Sequence, residues 1–330
     1  MKIRRFSELQ VQFSFFSEEN FEIFKTRFFQ SELGMIYHSV PWQDLVKAFG
    51  LKEKKLGRTR IFPPQGMLAL MILKNYSKLS DKKLIEHLNG NVEWQFFCGI
   101  SLGFERIDNF KVVSSIRTEL SGKLDIEKVE KELYNYWNPH IKEKEKVVVD
   151  ATCYESEVRY PTDAKLLWEC VEWCNSSLRK VFKGLGERLP RTKYLKWKKR
   201  YVNYSKMRKK RSKITNAVKR SSLNLIDKIS CILETKKSAL SQKQQERLTL
   251  IKKVYSQQYA LFHKGIKPKG RIVSLYKDYL RPIVRGKETK LVEFGAKLNK
   301  IQIDGISFIE HISFDAFNEG TRLKNSIYKA

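Results

Sequence analysis

The chain has 330 residues, with 65 Lys+Arg against 36 Asp+Glu and a formal net charge of +29. Apolar residues make up 42% and aromatics 12%, enough for a core, which excludes a disordered polyelectrolyte. A charge surplus of this size implies a polyanionic partner, nucleic acid ahead of an anionic membrane surface. The length suggests two domains of ~150 residues each.

An aromatic-rich stretch opens the chain: Phe13, Phe15, Phe16, Phe21, Phe24, Phe28 and Phe29. Pro41-Trp42-Gln43-Asp44 then starts a short helix. Pro63-Pro64 starts a longer one whose apolar face is Met67, Leu68, Met71, Ile72 and Leu73. Ser80 caps the next, with Leu84, Ile85 and Leu88 at helical steps. Asn91 caps a segment holding Trp94, Phe96 and Phe97. Asp108 or Asn109 starts one with Phe110, Val113, Ile116 and Leu120. Asp125 starts another with Ile126, Val129, Leu133 and Trp137, ended by Pro139. This half reads as an all-helical module of five or six short helices.

The texture changes at Lys146. Val147-Val148-Val149 is a β-branched run ending at Asp150, and it predicts a fully buried central strand. Pro161-Thr162-Asp163 caps a helix through Cys174. Helical patterns continue from about Lys193 to Phe262, and Lys236–Ser241 is a link that folds them into a hairpin. Gly265, Pro268 and Gly270 end that stretch. Arg271–Leu275 looks strand-like, and Phe294, Ala296 and Leu298 alternate as in a strand. Asp304-Gly305 is a strong hairpin turn signal, because both positions need φ > 0. Ile306–Phe314 follows as its second strand, and Asn318 or Thr321 caps a final helix.

The charge is concentrated. Residues 175–300 hold 36 Lys+Arg and 7 Asp+Glu, so the rest of the chain is neutral. Lys193 to Arg220 contains no acid at all. Its densest cations are Lys196, Lys198, Lys199, Arg200, Arg208, Lys209, Lys210 and Arg211. Cations without acidic partners repel one another unless a polyanion lies against them, so these are the candidate DNA contacts. Tyr194, Trp197, Tyr201 and Tyr204 fall among them at helical spacing. A packing seam is favoured there over a base-stacking surface.

Membrane insertion and secretion are not indicated. The longest apolar run, Met67–Leu73, is seven residues, against the ~20 of a spanning helix. The basic start, Met1 to Arg5, leads into no apolar core. The odd number of cysteines, five, suggests a reducing cytosol. Cys170 and Cys174 share a helix face and read as buried thiols ahead of a metal pair.

Several passages together resemble the DDE transposases of bacterial insertion sequences, in the IS5/IS1182-like group of the IS4/IS5 superfamily. They are Leu79 to Leu88 with Trp94 to Ile100, Val149 to Thr152 with Arg159 to Asp163, Arg281 to Lys287 with Val292 to Lys297, and Ile303 to Gly305 with Phe314 to Gly320. The likeness runs from about residue 40 to the end. It implies an α+β chain: an all-helical N-terminal DNA-binding domain over 1–142, then a partial RNase H-like catalytic domain over 143–330. A basic helical insertion, 175–265, divides the latter.

The resemblance also implies the chemistry. Two metal ions, Mg²⁺ or Mn²⁺, are held by two Asp and one Glu and drive DNA cleavage and strand transfer. Asp150 matches the first aspartate, and so is the catalytic and metal-ligand candidate. Taken alone, an Asp after a valine run is more often a strand end than a catalyst. Arg281, Arg285 and Lys297 join the DNA-contact candidates. The second Asp and the Glu fall beyond Ala330, and Asp304, Glu310 and Asp315 have no basis for replacing them. A C-terminally truncated, catalytically incomplete transposase is therefore expected, with Mg²⁺ held weakly or not at all. The expected partner is double-stranded DNA at the element's terminal inverted repeats, with self-association and no small-molecule substrate, in a bacterial cytoplasm near the nucleoid. The alternative is a non-catalytic DNA-binding product that inhibits or is inert. An RNA-binding or RNase-type protein on the same fold is weaker.

Overall fold

Helix starts follow side-chain chemistry. Ser80, Asn91, Asp125 and Thr162 each accept a hydrogen bond from the backbone N–H three residues on, supplying a partner that the first helical turn lacks. The computed structural model describes residues 4–5, 18–53, 59–156, 158–284 and 292–330. The chain divides into two compact units, Met1–Lys144 and Glu145–Ala330.

The first unit holds α1 (Glu18–Gln30), α2 (Glu32–His38), α3 (Trp42–Ala48), α4 (Pro64–Ser77), α5 (Asp81–Gly90), α6 (Val92–Phe97), α7 (Lys111–Ser121) and α8 (Ile126–Trp137). A two-residue ladder, β1 (Arg4–Arg5) with β2 (Ile100–Ser101), accompanies them. The expected five or six helices are thus exceeded. The aromatic-rich start supplies α1 and α2, because Phe28 is needed in the core, where Phe24, Phe29, Tyr37 and Phe96 surround it. Phe13, Phe15 and Phe16 lie outside the described residues. The passage Trp94 to Ile100 is a packing knot. Phe97, Cys98 and Ile100 are buried, and the Gln95 amide donates to Leu88 O at 3.0 Å while accepting from Leu102 N at 3.1 Å.

The second unit contains β3 (Val147–Glu155), α9 (Asp163–Leu185), α10 (Tyr194–Lys206), α11 (Ser212–Thr235), α12 (Gln242–Lys264), β4 (Pro282–Val284), β5 (Val292–Ile303), β6 (Ile306–Ser313) and α13 (Leu323–Lys329). The chain is therefore α+β. Its sheet is antiparallel throughout: β5 pairs with β3, β4 and β6. Asp304 and Gly305 close the β5–β6 hairpin at φ +46° and +82°, the positive values that such a turn demands. Gly295 lets β3 approach: a Cβ there would lie 2.1 Å from Tyr154 O.

Two sequence expectations are corrected. Val147–Val149 is not a buried central strand. Among the described strands β5 is central and β3 ends the order, and Val148 is 58% exposed. Centrality depends on which partners a strand finds, and the twelve-residue β5 finds three. Arg271–Leu275 is not a strand either. Ile272 and Leu275 are buried as plugs against the helical core, and Ile272 N–H donates to the Gln257 side chain at 3.0 Å, so the segment's β-branched residues serve packing without a ladder.

The helical core of this unit joins α9, α11 and α12. Leu167, Val171, Leu178, Ile226, Ile229, Leu233, Ile251 and Val254 are each nearly or fully buried. Cys170 and Cys174 lie among them. Burial pushes both thiols up, Cys174 to about 12. They are inert core residues at neutral pH.

Asp163, the first residue of α9, fastens this core electrostatically. It accepts from Lys219 at 2.8 Å, from Gln258 at 3.2 Å and from Arg271. Burial opposes its ionisation. The Lys219 hydrogen bond, the charges of Arg271 and Lys219, and the Gln258 hydrogen bond outweigh burial and hold the carboxyl below its ordinary 3.8. A depressed carboxylate contributes stability that is present above the unfolded value and lost as pH falls through the folded one. Asp163→Asn should cost roughly 2–3 kcal/mol at neutral pH, less than a fully buried pair because both cations reach water. In denaturant melts, its gap to the wild type should stay constant at neutral pH and close below about pH 4.

Candidate nucleic-acid interface

Periodicity gives α10 two faces. Tyr194, Trp197, Tyr201 and Tyr204 turn inward. Trp168 of α9 stacks on Tyr194 at 5.9 Å and on Tyr201 at 4.5 Å, and Tyr204 is buried beside Ala164 and Val218. Burial first, then the charges of Glu169 and Glu172, push the Tyr201 hydroxyl up to about 12. The aromatic stripe is thus a packing seam. Lys196, Lys199 and Lys206 occupy the opposite, exposed face.

After α10 the chain runs extended at Met207 and Arg211 before α11 begins. Lys196, Lys198, Lys199, Arg200, Arg208, Lys209, Lys210 and Arg211 are all exposed. Three of them rest over rings: Arg200 over Trp197 at 4.7 Å, Lys198 over Tyr194 at 5.8 Å and Lys210 over Tyr204 at 5.4 Å. Such contacts reduce the freedom of long side chains without neutralising them.

The carboxylates of this unit pair elsewhere. Asp163 takes Lys219 and Arg271, Glu187 takes Lys236, and Glu234 takes Lys252. Glu319 takes Lys297 and Glu310 takes Arg322. Among the described residues, none of the eight exposed cations has a carboxylate within ion-pair distance. The belt keeps its full charge, at the cost of self-repulsion.

The three later candidates are placed differently. Arg281 donates to the carbonyls of Asp278 and Leu280 and lies 3.6 Å from Asp315. Lys297 is 14% exposed, donates to Phe317 O at 2.9 Å and pairs with Glu319 at 3.0 Å. Both tie the sheet to neighbouring loops. Arg285 lies outside the described residues. Lys206 escaped the sequence reading, although it stands two turns from Lys199 on the same stripe.

Asp150 sits on β3 opposite Lys300, with Nζ 3.8 Å from its carboxylate and its side chain 58% exposed. Strand alternation puts Val148, Thr152 and Tyr154 on its face. Val148 and Tyr154 are exposed, as is Ile312, two strands away. Glu310 faces the other side. It is the extra residue of a bulge between Asn299↔His311 and Lys300↔Ile309, and it accepts from Asn299 at 2.9 Å and from Arg322. Asp304 is in the hairpin turn and Asp315 is near Arg281. A two-metal site needs several hard oxygen donors converging. Among the described residues, no group of three His, Cys, Asp or Glu side chains could hold a metal ion. Among the described residues, the side chains around Asp150 do not supply such a set.

No helix among the described residues is long and apolar enough to cross a membrane. Residues 25–119 match the family model of a transposase domain (DUF772). The match runs from within α1 to within α7 and takes in most of the first unit's core. It supports a transposase family, for which DNA is the natural partner. Comparison with curated proteins and with solved structures returned no match.

Proposed function

We propose that this chain is a DNA-binding protein of the insertion-sequence transposase type, which holds duplex DNA at the element's terminal inverted repeats without completing a catalytic metal site. The observation that carries this reading is the cation belt of α10 and residues 208–211, which has no carboxylate partner among the described residues, in a chain whose residues 25–119 match the model of a transposase domain. A polyanion releases counterions on contact with such a belt and relieves its repulsion.

The RNase H-like reading of the sheet belongs to this proposal. It is supported by the order of β3, helical insertion, β5, β6 and helix, and by Asp150 on the first of these strands. On this reading Asp150 is one carboxylate of the metal-binding set, placed on the exposed face that also carries Val148, Tyr154 and Ile312. The IS5/IS1182-like assignment, the 1–142 and 143–330 domain division and self-association remain part of the same proposal.

Incubation with duplex carrying the terminal repeats, in Mg²⁺ or Mn²⁺, tests it. The duplex should be retained in gel shift and recovered without new ends. Failure to shift would remove the DNA-binding reading. Nicking that Asp150→Ala abolishes would show that the carboxylate set is complete in this chain.

A further inference from the structure

We infer that the cleft at the open end of the α11–α12 hairpin is a phosphate seat, which takes one phosphodiester of the bound DNA duplex beyond the α10 belt. This rests on the DNA-binding reading above and adds a site to it. The hairpin is antiparallel, so the start of α11 lies beside the end of α12. A cleft of about 440 Å³ opens there, lined by Asn216, Lys219 and Arg220 from α11 and by Gln258, Leu261, Phe262 and His263 from α12.

The floor is rigid. Gln258 is buried, and Asp163 holds both its amide and the Lys219 ammonium. Asp163 also takes Arg271, so one carboxylate is shared between two cations and a positive charge is left over at the floor.

The mouth is cationic and unpaired. Arg220 is exposed, and among the described residues it has no ion-pair partner. Its guanidinium is steered by the Phe262 ring at 5.9 Å. The exposed His263 ring packs on Tyr259 and Phe262. The cleft therefore offers guanidinium, imidazole and amide donors with no acidic group at its mouth. That donor set suits a tetrahedral oxyanion.

Position names the source of that anion. Lys213, Asn216 and Arg220 follow one another on a single face of α11 by helical spacing. They continue the cations of Arg208 to Arg211 directly into the cleft. A strand tracking the belt reaches the cleft next.

The test compares the wild type with Arg220→Gln/His263→Gln by fluorescence anisotropy on a short duplex. Lys219 is left alone because it supports the fold. The variant should show a log affinity versus log salt slope shallower by about one unit, and affinity roughly 5–10-fold weaker at ~0.15 M salt. An unchanged slope would overturn the cleft alone and leave the belt standing. A second arm needs no variant to fold: the His263 ring resonance of the wild type should move saturably with inorganic phosphate, and a stationary resonance overturns the seat. If the wild type fails to bind duplex at all, the DNA reading falls and this inference with it. Displacement of the duplex by single-stranded RNA at lower concentration would overturn the assigned occupant.

Discussion

Replacing Arg208, Lys209, Lys210 and Arg211 together with glutamine should weaken duplex binding roughly 100-fold or more at ~0.15 M salt and make the salt slope shallower by about three to four units. All four side chains are exposed, and among the described residues none has a carboxylate within ion-pair distance, so the fold loses no ion pair. Only the Lys210 contacts, to Met207 O at 3.1 Å and over Tyr204, are given up. The melting temperature should hold or rise, because self-repulsion falls. Anisotropy over a salt series, with a thermal melt beside it, checks both. Unaltered affinity would mean that the charge of this segment serves something other than DNA.

Trp168→Ala carries the second large effect. Trp168 is buried and stacked on both Tyr194 and Tyr201, so truncation removes the ring that docks α10 onto α9. A loss of about 3–5 kcal/mol in unfolding free energy is expected, the usual cost of deleting a buried indole. DNA affinity should fall as well, by roughly tenfold under conditions where the variant is still folded, because Lys196, Lys199 and Lys206 lose their fixed spacing. Trp168→Phe should recover most of both. A destabilised variant that binds DNA normally would separate the seam from the interface.

Local chemistry was legible in the sequence, and long-range pairing was not. The caps Ser80, Asn91, Asp125 and Thr162 lie where their side chains can reach the next turn. The Asp304-Gly305 turn follows from backbone sterics. The α10 seam follows from its period, which needs no knowledge of Trp168. The place of β3 in the sheet is another matter. A run of valines reads as buried wherever it stands, and only the pairing of β5 with three strands decides that Val148 faces water. Arg271–Leu275 misleads for the same reason: its apolar residues are buried against helices, and no strand meets them.

The candidate site divides in the same way. A belt without acids can be counted in the sequence, and it is exposed in the fold. Arg281 and Lys297 carry the same charge but spend it on carbonyls and Glu319, which residue identity cannot reveal. Arg220 and His263 meet only because the hairpin closes. Asp150 was named through a family likeness. The fold adds its placement on an exposed sheet face, opposite Lys300 and away from Glu310.

The salt dependence of duplex binding by the unmodified protein is the most direct test of a belt that holds DNA by its phosphates. Engagement of six or more phosphates predicts a log–log slope of about −5 or steeper. A measurable affinity that stays flat between ~0.05 and ~0.2 M salt would contradict it.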